Sequence, residues 1–172
     1  FFQTNPAAAA ALVAIVLDAI DPRAGHVLDL YAGSGLFTMP LAARGPRVTA
    51  VEENARAVAD AGRNLDVNRL DPRRVRLIGA RVEHAIRDLA RQPVDAVVLD
   101  PPRQGCPPPV IDAVFTQLAP PRVVYVSCNP AALAAELPAI VAAGYRVASV
   151  QPIDMFPHTP HVEAVVLLDR VR

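Results

Sequence analysis

The stretch "HVLDLYAGSGLF", His26 to Phe37, changes character at its midpoint, and that change decides the fold. Its first half, "HVLDLY", is a short β-type run; its second half carries Gly33 and Gly35 in a G-x-G spacing. A strand ending in a glycine turn suits an open α/β sheet, where ligands bind beyond the carboxyl ends of the strands. Glycine lets the backbone turn tightly there and approach a ligand closely.

Outward from this stretch the same alternation recurs. "RVTAVE" (Arg47 to Glu52), "VRLIGA" (Val75 to Ala80), "VDAVVLD" (Val94 to Asp100) and "RVVYVS" (Arg122 to Ser127) read as strands. Between them lie "NARAVADAGRNLDVNR", "EHAIRDLAR", "VIDAVFTQLA" and "AALAAELPAIVAAG", with helical period or alanine-rich propensity. Pro138 is expected to begin or kink the last of these. Strands separated by helices of this length predict βαβ units and a parallel sheet. A further helix opens the chain, with Thr4 or Asn5 as cap and Pro6 in its first turn. After Gly144, "YRVASVQPIDMF" and "HVEAVVLLDR" have no helix between them, so they are expected to pair antiparallel at one edge.

The chain of 172 residues suits one domain with a substantial core. Hydrophobic residues make up 52% and charged residues 20%, a globular balance. The longest apolar run, Ala7 to Leu17, ends at Asp18, well short of the roughly 20 residues that span a bilayer. Cys106 and Cys128 are too few for a disulfide framework or a four-ligand zinc site, and a reducing cytoplasm is the expected location. The 17 acidic residues balance 17 basic ones, all arginine. That neutrality argues against strong unaided nucleic-acid affinity. The chain opens at Phe1 without a methionine, so residues 1–172 are expected to be a domain cut from a longer protein.

Glu52 ends the second strand, 17 residues after Gly35, where an acid can accept both hydroxyls of a ribose. A dinucleotide fingerprint requires a third glycine, and "GSGLFT" has Thr38 in its place. A nucleoside ligand without phosphate, such as S-adenosylmethionine, fits better than a nicotinamide dinucleotide. "DPPRQG" follows the fourth strand, and Pro101 and Pro102 stiffen the loop that holds Asp100 at the same sheet edge. The plain alternative for Asp100 is a turn cap.

Cys128, in "VYVSCNP", follows the fifth strand and precedes a predicted helix. A lone cysteine is more often a small packing residue, but a helix N-terminus can lower a thiol pKa and make a nucleophile. Cys106 sits in a proline-rich loop with no base nearby in sequence. Glu163 opens an otherwise apolar strand, where a carboxylate beside the pocket would have a raised pKa and serve as a base. His158, His161 and Glu163 alone make a poor metal set, so no metal is expected.

In order, "FFQTN", "DLYAGSGLF", "AVE", "DPPRQG", "VYVSCNP" and "DMFPHTPHVE" resemble the RNA uracil-carbon-5 methyltransferase family, makers of 5-methyluridine in transfer and ribosomal RNA. The resemblance spans almost the whole chain and is to the family's C-terminal catalytic domain. It implies a Rossmann-like class I methyltransferase fold: a seven-stranded, mostly parallel sheet with one antiparallel edge strand and helices on both faces. It implies S-adenosyl-L-methionine as cofactor, with Gln3, Tyr31, Gly33, Gly35, Glu52 and Asp100 at cofactor-binding positions. Cys128 then matches the nucleophile and Glu163 the proton acceptor. The implied partner is an RNA whose uridine lies in a loop or is flipped out, met by a monomer whose N-terminal RNA-binding domain lies outside these residues. Two positions depart from the pattern: many relatives carry cysteine at Ala32 and asparagine at Leu36. Two other readings remain: a cofactor-binding fragment without RNA methylation of its own, and a nicotinamide-dependent oxidoreductase.

Overall fold

A computed structural model describes residues 5–155, 159 and 162–171. The chain begins with α1 (Pro6–Ala19), where the Asn5 side chain caps the helix by accepting from the Ala8 N–H at 3.2 Å. Strand β1 (His26–Leu30) follows, then α2 (Thr38–Arg44), β2 (Arg47–Glu52), α3 (Ala55–Val67), β3 (Val75–Gly79), α4 (Val82–Leu89) and β4 (Ala96–Leu99). Helix α5 (Pro108–Asp112) runs straight into a π-helical turn, Ala113–Leu118, before β5 (Arg122–Ser127). Helix α6 (Pro130–Ala142) leads to the final pair, β6 (Tyr145–Ile153) and β7 (Glu163–Arg170).

All seven strands form one sheet in the order β3-β2-β1-β4-β5-β7-β6. β1 to β5 pair parallel, while β7 is antiparallel to both β5 and β6. The expected antiparallel strand is therefore present, one place in from the rim. β7 takes that inner place because its burial pattern is mostly apolar and hidden, whereas β6 is exposed along most of its length. Strands flanked on both faces must be apolar throughout, and β1 and β4 are buried at every position.

Side chains alternate between two apolar layers. Val27, Val48, Val98, Val124, Val126 and Val165 face the layer closed by α1, α2 and α3. Leu28, Leu30, Val51, Leu99, Val123 and Tyr125 face the layer closed by α4, α5 and α6. Truncating a wholly buried side chain such as Leu99 costs about 2–5 kcal/mol in such a core.

Helix α6 runs through Pro138 instead of starting there. Pro130 supplies the helix start, at the position where a missing N–H costs nothing. Among the described residues no helix is long and apolar enough to cross a membrane.

Candidate active site

The alternation that builds the two layers also gathers the acids. Asp29 lies two residues beyond Val27, Glu52 four beyond Val48, and Asp100 two beyond Val98, so all continue the parity of the α1–α3 face. Glu163 precedes Val165 by two and shares that parity on β7. Because β7 runs antiparallel, its first residue reaches the sheet edge at which the parallel strands end. The register pairs Val126 with Val165 and Ser127 with Ala164. Cys128 follows Ser127 and Glu163 precedes Ala164 at this end of the pair, and the Glu163 carboxylate acts on the thiol from there. A parallel β7 would have carried Glu163 to the opposite edge.

Cys128 is half-buried, directly before the N-cap of α6. Burial pushes its thiol pKa up, and the carboxylates of Glu163 and Asp100 push it further; Arg103 pulls the other way. The lowered thiol pKa expected from the helix N-terminus is thus not found. Asn129 caps that helix by accepting from the Ala132 N–H, and burial with two nearby acids outweighs the cationic and backbone contributions. Glu163 is buried, and burial raises its pKa in the direction the sequence suggested. Asp100 is pushed up to about 8 by burial, with Glu163 and Asp29 adding like charge.

Gly33 and Gly35 both lie in the left-handed region, with φ of 55° and 93°. A Cβ at Gly35 would come within 2.5 Å of Met39 Cε, so the turn closes onto α2 there. At Gly33 a Cβ would meet no atom within 4 Å, which leaves the loop open on that side. Glu52 holds the loop in place: one carboxylate oxygen accepts from the Gly33 N–H at 2.9 Å and the other from the Asn54 N–H at 2.8 Å.

Tyr31 behaves differently from its neighbours. Its φ of 66° breaks the strand alternation, and its ring packs against the α4–α6 layer instead of the acid-bearing face. Its hydroxyl is buried beside the Cys106 thiol, and burial raises its pKa, with Cys106 and Glu83 contributing. The part of Tyr31 that borders the glycine loop is therefore its backbone. Gln3, His158 and His161 lie outside the described residues. Cys106 is buried in the core and its thiol is pushed up to about 12, the state of a packing residue.

Sequence reading passed over Asp29. It is wholly buried, accepts from the Thr38 hydroxyl through one oxygen, and has no partner for the other among the described residues. Burial pushes it up to about 6 against that hydrogen bond. Its shared parity with Asp100 on a paired strand was the available signal. Among the described residues, no group of three or more His, Cys, Asp or Glu side chains is arranged to hold a metal ion.

Over residues 1–171 the sequence matches the family described as tRNA (Uracil-5-)-methyltransferase. The chain belongs to this family. An uncharacterized RNA methyltransferase from Gloeobacter violaceus is 41% identical over 171 residues, covering 99% of this chain and 36% of its relative. A 23S rRNA (uracil(1939)-C(5))-methyltransferase from Salmonella typhi is 40% identical over 177 residues, covering 99% and 39%. The crystal structure of Pyrococcus abyssi tRNA (uracil-54, C5)-methyltransferase in complex with S-adenosyl-L-homocysteine matches with a TM-score of 0.85 at 36% identity, covering 98% of this chain and 40% of that one.

The chain thus spans 36–39% of the length of these two curated relatives. At the two positions that depart from the family pattern, Ala32 is buried and Leu36 packs half-buried against the α1–α3 layer. Leucine there adds to the core instead of presenting a polar group.

Proposed function

We propose that this chain methylates carbon 5 of a uridine in ribosomal or transfer RNA, using S-adenosyl-L-methionine, with Cys128 as nucleophile and Glu163 as base. The β5–β7 register supports this reading above all, since it ends one residue short of both Cys128 and the buried Glu163, and the carboxylates of Glu163 and Asp100 both act on the thiol. When bound, S-adenosyl-L-methionine supplies an electrophilic methyl group on a cationic sulfur. The residues present fit such a group. The open side of Gly33 gives room for close approach, and each Glu52 oxygen keeps a lone pair for a ribose hydroxyl. Asp29 and Asp100 favour a cation, since like charge and burial are what raise their pKa values. Tyr31 would take part through its backbone, and Gln3 through the position that the resemblance assigns to it.

Carbon 5 of uracil is a poor nucleophile until a thiolate adds to carbon 6. Cys128 forms that bond, and the electron pair moves through the ring to give an enolate. Carbon 5 then takes the methyl group, leaving S-adenosyl-L-homocysteine. Glu163, as carboxylate, removes the carbon-5 proton; the carbon–sulfur bond breaks and the thiolate returns. Splitting one hard displacement into addition, transfer and elimination is the gain from covalent catalysis. Burial and the nearby acids raise the thiol pKa in the free chain, so a cation bound beside Asp100 would also promote the thiolate. The ring face must be exposed for addition, so the target uridine is unstacked or flipped out.

The test is covalent capture by a short RNA loop containing 5-fluorouridine, in the presence of S-adenosyl-L-methionine. Fluorine cannot leave as a proton does, so a stable protein–RNA adduct is expected. Cys128→Ala should abolish it and Cys106→Ala should retain it. An undiminished adduct in Cys128→Ala overturns the proposal. Calorimetric binding of S-adenosyl-L-methionine without any adduct would support the reading as a cofactor-binding fragment.

A further inference from the structure

One carboxylate outside the reacting groups joins three segments that meet at the site. Glu136, on α6, accepts from the Cys106 N–H through Oε1 at 2.8 Å and from the Tyr125 hydroxyl through Oε2 at 2.8 Å. Cys106 ends the loop that begins at Asp100. Tyr125 lies on β5, three residues before Cys128, and α6 itself begins two residues after Cys128.

The loop has few backbone donors with which to be held. Residues 101, 102, 107, 108 and 109 are proline and bring no N–H. Of the remaining amides, that of Gly105 closes an internal turn on the Pro102 carbonyl at 2.8 Å. The Cys106 amide instead reaches across to α6. A second tie runs the other way: the Asn129 side-chain amide donates to the Arg103 carbonyl at 3.0 Å. Gly105 has a φ of 85°, and a Cβ there would collide with Glu136 Oε1. The loop is therefore folded down onto the carboxylate, and a glycine is what allows it.

A half-buried carboxylate is costly unless donors compensate it, and both of its oxygens are so compensated here. Packing alone would be served by an apolar side chain at this place. What an apolar side chain would not do is set the spacing between the Asp100 loop and the segment bearing Cys128.

We propose that Glu136 is a positioning residue that fixes the Asp100–Cys106 loop against β5 and α6, and thereby the placement of Asp100 and Arg103 around the Cys128 thiol. This rests on the function proposed above only in so far as Cys128 is the reacting group. Its effect falls on the chemical step, because misplacement of about an ångström costs up to roughly 100-fold in rate while binding contacts persist.

The decisive measurement uses the whole chain without RNA or cofactor: the pH profile of Cys128 alkylation by iodoacetamide, read on its own peptide by mass spectrometry. Glu163 and Asp100 raise the Cys128 pKa and Arg103 lowers it, with the acids the stronger influence. Releasing the loop in Glu136→Ala should therefore shift the profile to lower pH. Glu136→Gln keeps an oxygen for the Cys106 amide and an NH2 that donates to the Tyr125 oxygen, so it should restore the profile. Tyr125→Phe cuts one arm only and should give a smaller shift in the same direction; it decides the matter if Glu136→Ala does not fold. In the 5-fluorouridine assay, Glu136→Ala should slow adduct formation roughly 10- to 100-fold with cofactor affinity changed less than about threefold. A folded Glu136→Ala with an unmoved profile overturns the positioning role, whatever the adduct assay shows. An adduct that survives Cys128→Ala overturns the proposed function and leaves the alkylation result standing by itself.

Discussion

The two ends of the sheet handle charge in opposite ways. At the amino ends of the parallel strands, acids and bases answer one another. Asp21 pairs with Arg23 at 3.0 Å, Asp71 with Arg73 at 3.1 Å, and Asp169 with both Arg122 at 2.9 Å and Arg146 at 3.2 Å. Hydrogen bonding to their arginines holds the carboxyls of Asp21 and Asp71 below their ordinary values. Asp95 accepts from the N–H groups of Gly25 and His26 at 2.7 and 2.9 Å, and the buried His26 ring reaches Thr49 at 2.9 Å. At the carboxyl ends, Asp29, Asp100, Glu163 and Cys128 all have raised pKa values. One end answers its acids with arginines and backbone amides, and the charge that burial disfavours there is that of His26. The other holds proton-binding groups in surroundings that disfavour their charge, which is useful only if a ligand or a proton transfer later relieves it.

Substitutions at the two ends should therefore fail differently. The largest effect is expected at Glu163. Glu163→Gln leaves addition and methyl transfer possible but removes the base, so RNA should remain covalently attached and turnover should fall about 10²–10⁴-fold. Gel-shift of a denaturation-resistant complex with ordinary uridine RNA reads this directly; normal turnover would take Glu163 out of the base role. A smaller effect is expected from Asp95→Ala at the opposite end. Losing the acceptor for two amides should cost about 1 kcal/mol, or about 2–4 °C in Tm, with the adduct yield per folded molecule unchanged. A drop in adduct yield there would break the division between the two ends.

The third test turns on a sign and not on a size. The folded-state pKa of Asp100 is raised, so its neutral form is compatible with the fold and its carboxylate is not. Its contribution to stability is full below its ordinary value and is lost as pH rises to about 8. Asp100→Asn should therefore match the parent near pH 4 and exceed it in stability increasingly as pH rises to about 8 in the free chain. Denaturation curves at the two pH values test the sign. Destabilisation at high pH would mean that a cation already compensates Asp100.

Much of this could be read from residue order. The five parallel strands were all recognisable: β1, β2, β4 and β5 as mainly apolar runs bounded by turn residues, and β3, partly exposed at the rim of the sheet, by its valine, leucine and isoleucine. Asn5 and Pro6 announced α1 correctly. Helix α2 was not visible, since "TMPLAAR" is too short to show a period. Nor was the π-helical turn after α5, because its residues are ordinary helix formers and its geometry follows from packing. Tyr31 misled in a particular way: a single left-handed residue reversed which face its ring joins.

Sequence by itself therefore determined the α/β alternation, the glycine turn, the family, and that Cys128 and Glu163 deserved notice. Tertiary structure decided that the two come to the same end of paired strands, because strand direction and register are set by pairing across the intervening chain and not by local preference. It also decided the direction in which the thiol pKa moves. Local order put Cys128 before a helix, which favours a thiolate; the fold buried the thiol and brought Glu163 and Asp100 near it, which reverses the sign.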